Sequence, residues 1–232
     1  MSQKRNRGFT GAEAVLYAAS VCLILTSFFL FDRHQVLTLI ASLVGVTSLI
    51  FAAKGNPVGQ ALMVVFSILY GVISFQVRYF GEMITYLGMT APMSLYALIS
   101  WLRHPYAGKK NEVAVRSLPP AEYGIAFALS LAVTGAFHLV LRYFNTANLA
   151  WSTVSVTTSF LAVFLTGRRS PFYALAYAAN DVVLIILWSL AATKTRAYLS
   201  VVVCFAAFLC NDLYGFFNWR RMQARQQKKK ED

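Results

Sequence analysis

Two Asn-Asp pairs interrupt otherwise apolar stretches of this chain, and their side chains are the ones most able to do chemistry. Asn180 and Asp181 stand in the middle of YALAYAANDVVLIILW, and Asn211 and Asp212 stand in AAFLCNDLYGFFNW. A carboxylate in such a setting can accept hydrogen bonds, pair with a cation or exchange a proton. Two acids on different helices could also do acid–base work or hold a metal. Each possibility depends on where the helices place the acids.

Aromatic side chains accompany the first acid at helical spacing. Tyr173, Tyr177, Asp181 and Trp188 follow steps of four, four and seven residues, which places them on one face of a helix. A stripe of this kind offers stacking surfaces around a hydrogen-bond acceptor. An acid in the middle of a membrane helix is costly when it faces lipid, so we expect Asp181 to face the interior of a helix bundle or a water-filled cavity.

Polar residues of other apolar stretches complete the candidate site. Serine and threonine in membrane helices usually form hydrogen bonds to a nearby backbone, so each serine or threonine candidate also has a purely structural interpretation. The site is nearly neutral, and no basic residue lies deep in a span. It therefore suits a ligand with a flat ring and hydroxyl groups better than a phosphate. No catalytic residue, metal ligand or cofactor is assigned. The substrate-binding candidates are Asp181, Tyr177, Tyr173, Asn180, Trp188, Asn211, Asp212, Ser67, Tyr70, Gln60, Thr158, Ser159 and Thr90.

The composition predicts the elements that must position these residues. Hydrophobic residues make up 58% of the 232 residues and charged residues only 13%, whereas about a quarter of a soluble domain is charged. Apolar runs long enough to cross a bilayer recur along the chain. We predict an all-α, polytopic membrane protein with about eight spans, near residues 13–31, 35–53, 57–78, 82–101, 121–141, 149–166, 172–193 and 197–217. Asp181 lies ten residues after Pro171, or about 15 Å into the membrane.

The formal charge of +12 is best explained by membrane orientation. Basic residues cluster between the spans and at both ends of the chain, where lipid headgroups can contact them. With the N-terminus inside, sixteen Lys and Arg residues fall on the inner side and five on the outer side. The count predicts cytoplasmic termini, a lipid bilayer as partner and no binding of nucleic acid.

The two halves of the sequence resemble each other. The first half contains AAKGNP, two spans and WLRHP, and the second contains LTGRRSP, two spans and NWRRM. Pro57 precedes Trp101 by 44 residues, and Pro171 precedes Trp219 by 48. Four spans in each half give the halves the same direction across the bilayer, which is one known plan for transporters. The alternative is that basic turns and terminal tryptophans are common features of membrane helices.

Three segments carry a resemblance to a known family: FGEMITYLGMTAPMSLYALISW, FLTGRRSPFYALAYAAND and YGFFNWRR. They resemble sequences of the PnuC family of bacterial transporters for vitamins and nucleoside precursors. The resemblance implies a fold similar to that of SWEET sugar transporters, with two parallel three-helix bundles, a linker helix and an additional N-terminal helix. The implied divisions are 1–31 for an N-terminal cytoplasmic segment and first transmembrane helix, 32–104 for the first bundle, 105–147 for a cytoplasmic loop and linker helix, 148–221 for the second bundle and 222–232 for a basic cytoplasmic tail.

The resemblance also implies a function. Family members carry a small nucleoside-like vitamin, best known as nicotinamide riboside, by facilitated diffusion with alternating access, and a cytosolic kinase traps the substrate. Where nicotinamide riboside members have Trp-x-x-Trp-x-x-x-Asn, this chain has Ala174, Tyr177 and Asp181, and Val163 replaces a Gln. Thiamine, riboflavin and deoxynucleosides therefore remain open as substrates.

Other interpretations also remain open. The protein could be a membrane-embedded enzyme that uses its intramembrane aspartates, or a uniporter for a sugar. The sequence leaves proton coupling through Asp181 and a homo-oligomeric state undecided. The bacterial inner membrane is the expected location.

Overall fold

Eight membrane-crossing segments form the protein, as the sequence predicts. The computed structural model describes residues 9–231, and this part of the chain contains eight helical segments long and apolar enough to span a bilayer. They are α1 (Gly11–Phe31), α2 (Val36–Ala53), α3 (Val58–Gln76), the consecutive helices α4 (Phe80–Thr85) and α5 (Ala91–Arg103), α6 (Pro120–Tyr143), α7 (Leu149–Gly167), α8 (Tyr173–Ala192) and α9 (Leu199–Glu231).

The fourth segment changes its helical geometry midway. A π-helical turn, Tyr86–Thr90, connects α4 to α5, and Pro92 stands in the first turn of α5. Proline cannot donate a backbone hydrogen bond, and such local adjustments satisfy the carbonyl groups that it leaves unpaired within a membrane. The turn keeps Tyr86 and Thr90 buried inside the molecule.

A short hairpin departs from the predicted all-α fold. Strands β1 (Pro105–Tyr106) and β2 (Lys109–Val113) pair antiparallel in the segment that was expected to be a loop. The Val113 amide donates to the Gly55 carbonyl, and the Arg116 amide donates to the Arg169 carbonyl, each at 2.9–3.0 Å. These bonds attach the connection between the two halves to the α2–α3 and α7–α8 turns. We call this end of the molecule the hairpin face, and the other end the opposite face.

The last helix is longer than expected. The sequence predicts a span ending near residue 217 and a basic tail, whereas α9 continues to Glu231. Its added turns pack on the hairpin: the Gln226 amide group donates to the Val113 carbonyl, and Arg225 pairs with Glu112. Contacts outside the membrane therefore extend the helix, because a hydropathy pattern reports only the apolar part of it.

The helices pack in two groups of three. In the first group α3 contacts both α2 and α5, and in the second α8 contacts both α7 and α9. The groups meet through α2 against α9 and α5 against α7, so the first helix of each group touches the last helix of the other. Helices α1 and α6 are the least buried, with 22% and 17% of their apolar windows inside the molecule. Their exposed apolar side chains suit a surface that faces lipid.

The turns that begin the middle helices of the two groups have the same construction. Gly55 in the α2–α3 turn has φ +68°, and Arg169 in the α7–α8 turn has φ +61°. The next side chain then accepts a hydrogen bond from the backbone, Asn56 from Val58 and Ser170 from Phe172. This shared geometry supports an internal duplication over a chance similarity of spans.

Candidate functional site

A pair of carboxyl groups lies at the centre of the second group of helices. Asp181 of α8 and Asp212 of α9 are both buried, and their carboxyl groups lie close together. Two charged carboxyl groups would repel each other at such close range. One Asp181 oxygen, Oδ2, has no partner. The pair can thus receive a hydrogen bond or a cation.

The neighbouring Asn180 holds a different network. Its Oδ1 accepts hydrogen bonds from Thr158 at 2.8 Å and from Ser159 at 2.9 Å, both on α7. Tyr86, on the π-helical turn of the first group, lies close to Asn180 and Asp181. Asn180 therefore connects α7 to α8 at the point where the first group approaches the acid pair.

An aromatic cluster closes the site toward the hairpin face. The ring of Tyr173 lies 4.8 Å from Trp219 and 6.4 Å from Trp101, and the two indoles are 5.2 Å apart. Tyr177 follows one turn later, with its ring 6.1 Å from that of Tyr173. The four rings make an aromatic wall between the acid pair and the hairpin face.

A second aromatic cluster closes the site toward the opposite face. The Trp188 indole donates to the Tyr70 hydroxyl at 2.5 Å. Its ring lies 5.1 Å from Tyr79 and 5.6 Å from Tyr198, and Tyr86 stands 4.3 Å from Tyr70. The predicted stripe on α8 therefore extends from one aromatic cluster to the other, with the acid between them.

The indoles of the hairpin-face cluster form a reciprocal latch between the two groups of helices. Trp101, at the end of the first group, donates to the Thr166 carbonyl at 2.9 Å. Trp219, at the end of the second group, donates to the Ala52 carbonyl at 2.8 Å. The preceding residues repeat the pattern, because Ser100 donates to Gly167 and Asn218 donates to Ala53. Four equivalent bonds thus tie each group to the other.

Another buried acid connects the groups near the opposite face. Glu82 of α4 is 1% exposed and accepts a 2.7 Å hydrogen bond from Ser155 of α7 through Oε1. Its Oε2 has no partner. The sequence predicts that a span begins at Glu82, which would place the side chain at the membrane surface. Its burial was therefore not predicted. An isolated acid within an apolar segment was the available signal.

Several buried polar atoms near the two groups' contacts lack partners. Buried polar groups in proteins are nearly always hydrogen-bonded, so a cluster of unpaired ones indicates a place for a ligand or water. Tyr177 illustrates the pattern, since its hydroxyl faces Ser94 and Thr166 without a well-formed hydrogen bond. The unpaired atoms on membrane segments include Gln60 Oε1, Ser74 Oγ, Glu82 Oε2, Thr85 Oγ1, Thr90 Oγ1, Ser94 Oγ, Tyr177 OH, Asp181 Oδ2 and Asn211 Oδ1.

The structure does not bring every predicted residue to the acid pair. Asn211 points to α1, where its amide group donates to Ser20 at 2.8 Å. Ser67 donates to the backbone of its own helix at Met63, as expected for a structural serine. Gln60 and Thr90 are buried on the first group with unpaired oxygens, and Thr158 is half-buried. Asp181, Asp212, Asn180, Tyr173 and Tyr177 form the compact centre.

The centre is closed in this conformation. Asp181 and Asp212 are 3% and 4% exposed, so helix packing covers the pair. Within residues 9–231, no three His, Cys, Asp or Glu side chains stand close enough together to hold a metal ion. The side chains of the centre present aromatic faces together with carboxyl, amide and hydroxyl groups.

Comparisons with known proteins agree with this architecture. Residues 35–221 match the family described as "Nicotinamide mononucleotide transporter". The chain is 25% identical over 202 residues to a "Nicotinamide riboside transporter PnuC" from Neisseria mucosa, a match that covers 85% of this chain and 76% of that protein. It also resembles the "Crystal structure of the Vitamin B3 transporter PnuC", with a TM-score of 0.83, 23% identity and 94% of each chain covered.

The family match spans most of the chain, including all the helices of both groups. The structural likeness covers 94% of this chain and so extends the shared fold to α1. The relatives are named as transporters, which agrees with a membrane protein that is not an enzyme. The chain belongs to the nicotinamide mononucleotide transporter family, the PnuC family of multi-pass membrane transporters.

Proposed function

We propose that the protein carries a small nucleoside-like vitamin or precursor across the bacterial inner membrane. The observation that carries this proposal is the buried acid pair of the second group, Asp181 and Asp212, which lies between two aromatic clusters built from both groups of helices. Transporters of the parallel-repeat plan bind substrates at such an interface near the midplane. Tyrosine and tryptophan rings stack on a flat heterocycle, and carboxyl groups accept hydrogen bonds from sugar hydroxyls.

The acids favour a substrate with a positively charged ring. A carboxylate beside aromatic faces attracts a cation, and no Lys or Arg lies in the middle of a span to compete for it. Relatives named for nicotinamide riboside and vitamin B3 support a substrate with a positively charged ring. Because Tyr177 and Asp181 stand where the family's nicotinamide riboside members have Trp and Asn, thiamine is an equally suitable candidate.

Alternating access would move the two groups about this site. The four latch bonds cross between the groups at the hairpin face, so they must break when that face opens. At the other end, the Glu82–Ser155 bond also crosses between the groups. A transporter of this design alternates between states in which one set of contacts is open and the other closed.

Facilitated diffusion explains how such a carrier can accumulate substrate. The substrate gradient drives entry, and a cytosolic kinase maintains that gradient by phosphorylating the substrate. The site, which contains no basic residue, does not bind the phosphorylated product. In this scheme the hairpin face and both termini lie in the cytoplasm, as the distribution of basic residues favours. The parts that would move relative to one another are the proposed divisions of the chain, 1–31, 32–104, 105–147, 148–221 and 222–232. The scheme is also compatible with a homo-oligomer.

A ligand screen followed by uptake assays tests the proposal. Thermal stability of the purified protein is measured against nucleosides and B vitamins, because a ligand that binds only the folded state raises Tm by mass action. Asp181→Ala and Tyr177→Ala should abolish the shift and the uptake, or change the preferred substrate. Tyr143→Ala is the control, since Tyr143 is 82% exposed at the end of α6 and its loss should leave uptake unchanged. Wild-type uptake in both site variants would refute the site.

A further inference from the structure

A large groove lies on the hairpin face, apart from the acid pair. It has a volume of about 950 Å³ and opens beside the start of α1, the α2–α3 turn, the hairpin and the extension of α9. Its walls are mainly polar, with Phe51 and Met222 as apolar members. The residues that line it are Thr10, Glu13, Phe51, Lys54, Asn56, Lys109, Lys110, Asn111, Glu112, Asn218, Arg221, Met222 and Arg225.

The groove carries an excess of positive charge. Five of its lining residues are basic and two are acidic. Lys54 pairs with Glu13 at 3.3 Å, and Arg225 pairs with Glu112. That leaves three further cations, Lys109, Lys110 and Arg221, for which the described part of the chain provides no ion pair, and all three are exposed.

Three cations around a concave surface select an anion. Lysine and arginine bind phosphate groups through charge-assisted hydrogen bonds, and Asn56 and Asn111 add amide donors on the same wall. The apolar sides of Phe51 and Met222 can contact the organic part of a phosphate ester. The central site has the contrary character, because it contains acids and no cation.

We propose that this groove binds a phosphate-bearing anion. The chemistry fits both a soluble phosphate ester and the headgroup of an anionic lipid. The groove lies beside the latch: Asn218, which lines it, donates to Ala53, and Lys54 directly follows that acceptor. A phosphate held by Lys110 of the hairpin and Arg221 of α9 would add a connection beside this latch bond, because the hairpin is itself bonded to the α2–α3 turn. If the proposed alternating access holds, the bound anion slows transport by keeping the hairpin face closed.

The first experiment uses soluble probes. Pyrophosphate and adenosine 5′-monophosphate are titrated into the purified full chain at constant ionic strength, and Tm is followed. The Lys109→Gln/Lys110→Gln variant should bind about a hundredfold more weakly, because each of the two removed charge-assisted bonds contributes about one factor of ten. Lys194→Gln/Arg196→Gln is the control, since it removes the same charge from an exposed turn at the opposite face and should bind as the wild type does. Arg221→Gln is the second groove variant if the first does not fold.

The second experiment distinguishes the source of the phosphate. The same three proteins are placed in nanodiscs of phosphatidylcholine, with or without phosphatidylglycerol. A Tm increase that needs phosphatidylglycerol and disappears only in the groove variant identifies a lipid headgroup, whereas a response to the soluble probes alone identifies a cytoplasmic ester. Equal responses in the groove and control variants, or no response in either experiment, would overturn the proposal. Both readouts are independent of transport, so the groove can fail while the carrier function stands.

Discussion

The reciprocal latch gives a quantitative prediction about how the hairpin face opens. Replacing Trp101 and Trp219 by Phe keeps a ring at each position but removes the two indole donors to Thr166 and Ala52. The bonds join different groups of helices, so their loss destabilises the closed arrangement more than an open one. Both tryptophans are 0% exposed, so water does not replace the bonds.

The expected size follows from the loss of one buried hydrogen bond at each position, since the Thr166 and Ala52 carbonyls keep a second bond from the Arg169 and Gly55 amides. Each lost bond contributes about 1 kcal/mol, so the double variant destabilises the closed state by about 2 kcal/mol. This change shifts the ratio of open to closed molecules by about 30-fold. Since the two bonds are equivalent, each single variant should produce about half of the change in free energy.

Cysteine labelling measures the shift. Ala174 is fully buried beside the two indoles, and Ala174→Cys in a background without Cys22, Cys204 and Cys210 reports access from the hairpin face. A membrane-impermeant maleimide is applied to inside-out vesicles. The rate of labelling in the double variant should increase about 30-fold, in proportion to the larger fraction of open molecules.

Trp151→Phe provides the control for the labelling assay. Trp151 is 37% exposed, and no latch bond involves it. Unchanged labelling in the double variant, or equal acceleration in the Trp151 control, would refute the idea that these bonds hold the face closed.

Three further substitutions test the packing that supports the site. Glu82→Ala should lower stability by about 1 kcal/mol, because it removes the hydrogen bond between α4 and Ser155 of α7, whose hydroxyl keeps the Ser152 carbonyl as an acceptor. Glu82→Gln should restore most of the loss, and equal Tm values would contradict this. Gly59→Val should reduce folded yield because a Cβ at Gly59 would lie 2.5 Å from the α2 backbone, while Gly135→Val, with nothing within 4 Å, should be tolerated; similar yields would be inconsistent with close helix packing. Tyr70→Phe should lower Tm by removing the acceptor of the buried Trp188 donor, and an unchanged Tm would argue against that bond.

Sequence reasoning predicted the burial of Asp181 from the cost of exposing a charge to lipid. Asp181 had to face the interior, and it does, together with the aromatic stripe on α8. The partner of the acid did not follow from the pattern. Spacing rules relate residues within one helix, whereas the contact between Asp181 and Asp212 depends on how α8 and α9 pack.

Burial of Glu82 shows the same limit at the other end of the site. Its position near the start of a span suggested the membrane surface, where an acid is readily hydrated. The packing of α4 on α7 instead encloses it with Ser155. Helix packing decides such cases because the same sequence position can face lipid, water or protein.

The sequence by itself determined that the chain lies in a lipid bilayer, how many spans it has and to which family it belongs, because long apolar runs and local motifs are properties of neighbouring residues. Only the tertiary structure decided which side chains meet across the two groups: the acid pair, the crossed tryptophan bonds and the basic groove. These contacts join residues far apart in the chain. Their geometry comes from helix packing, which no pattern along a single helix specifies.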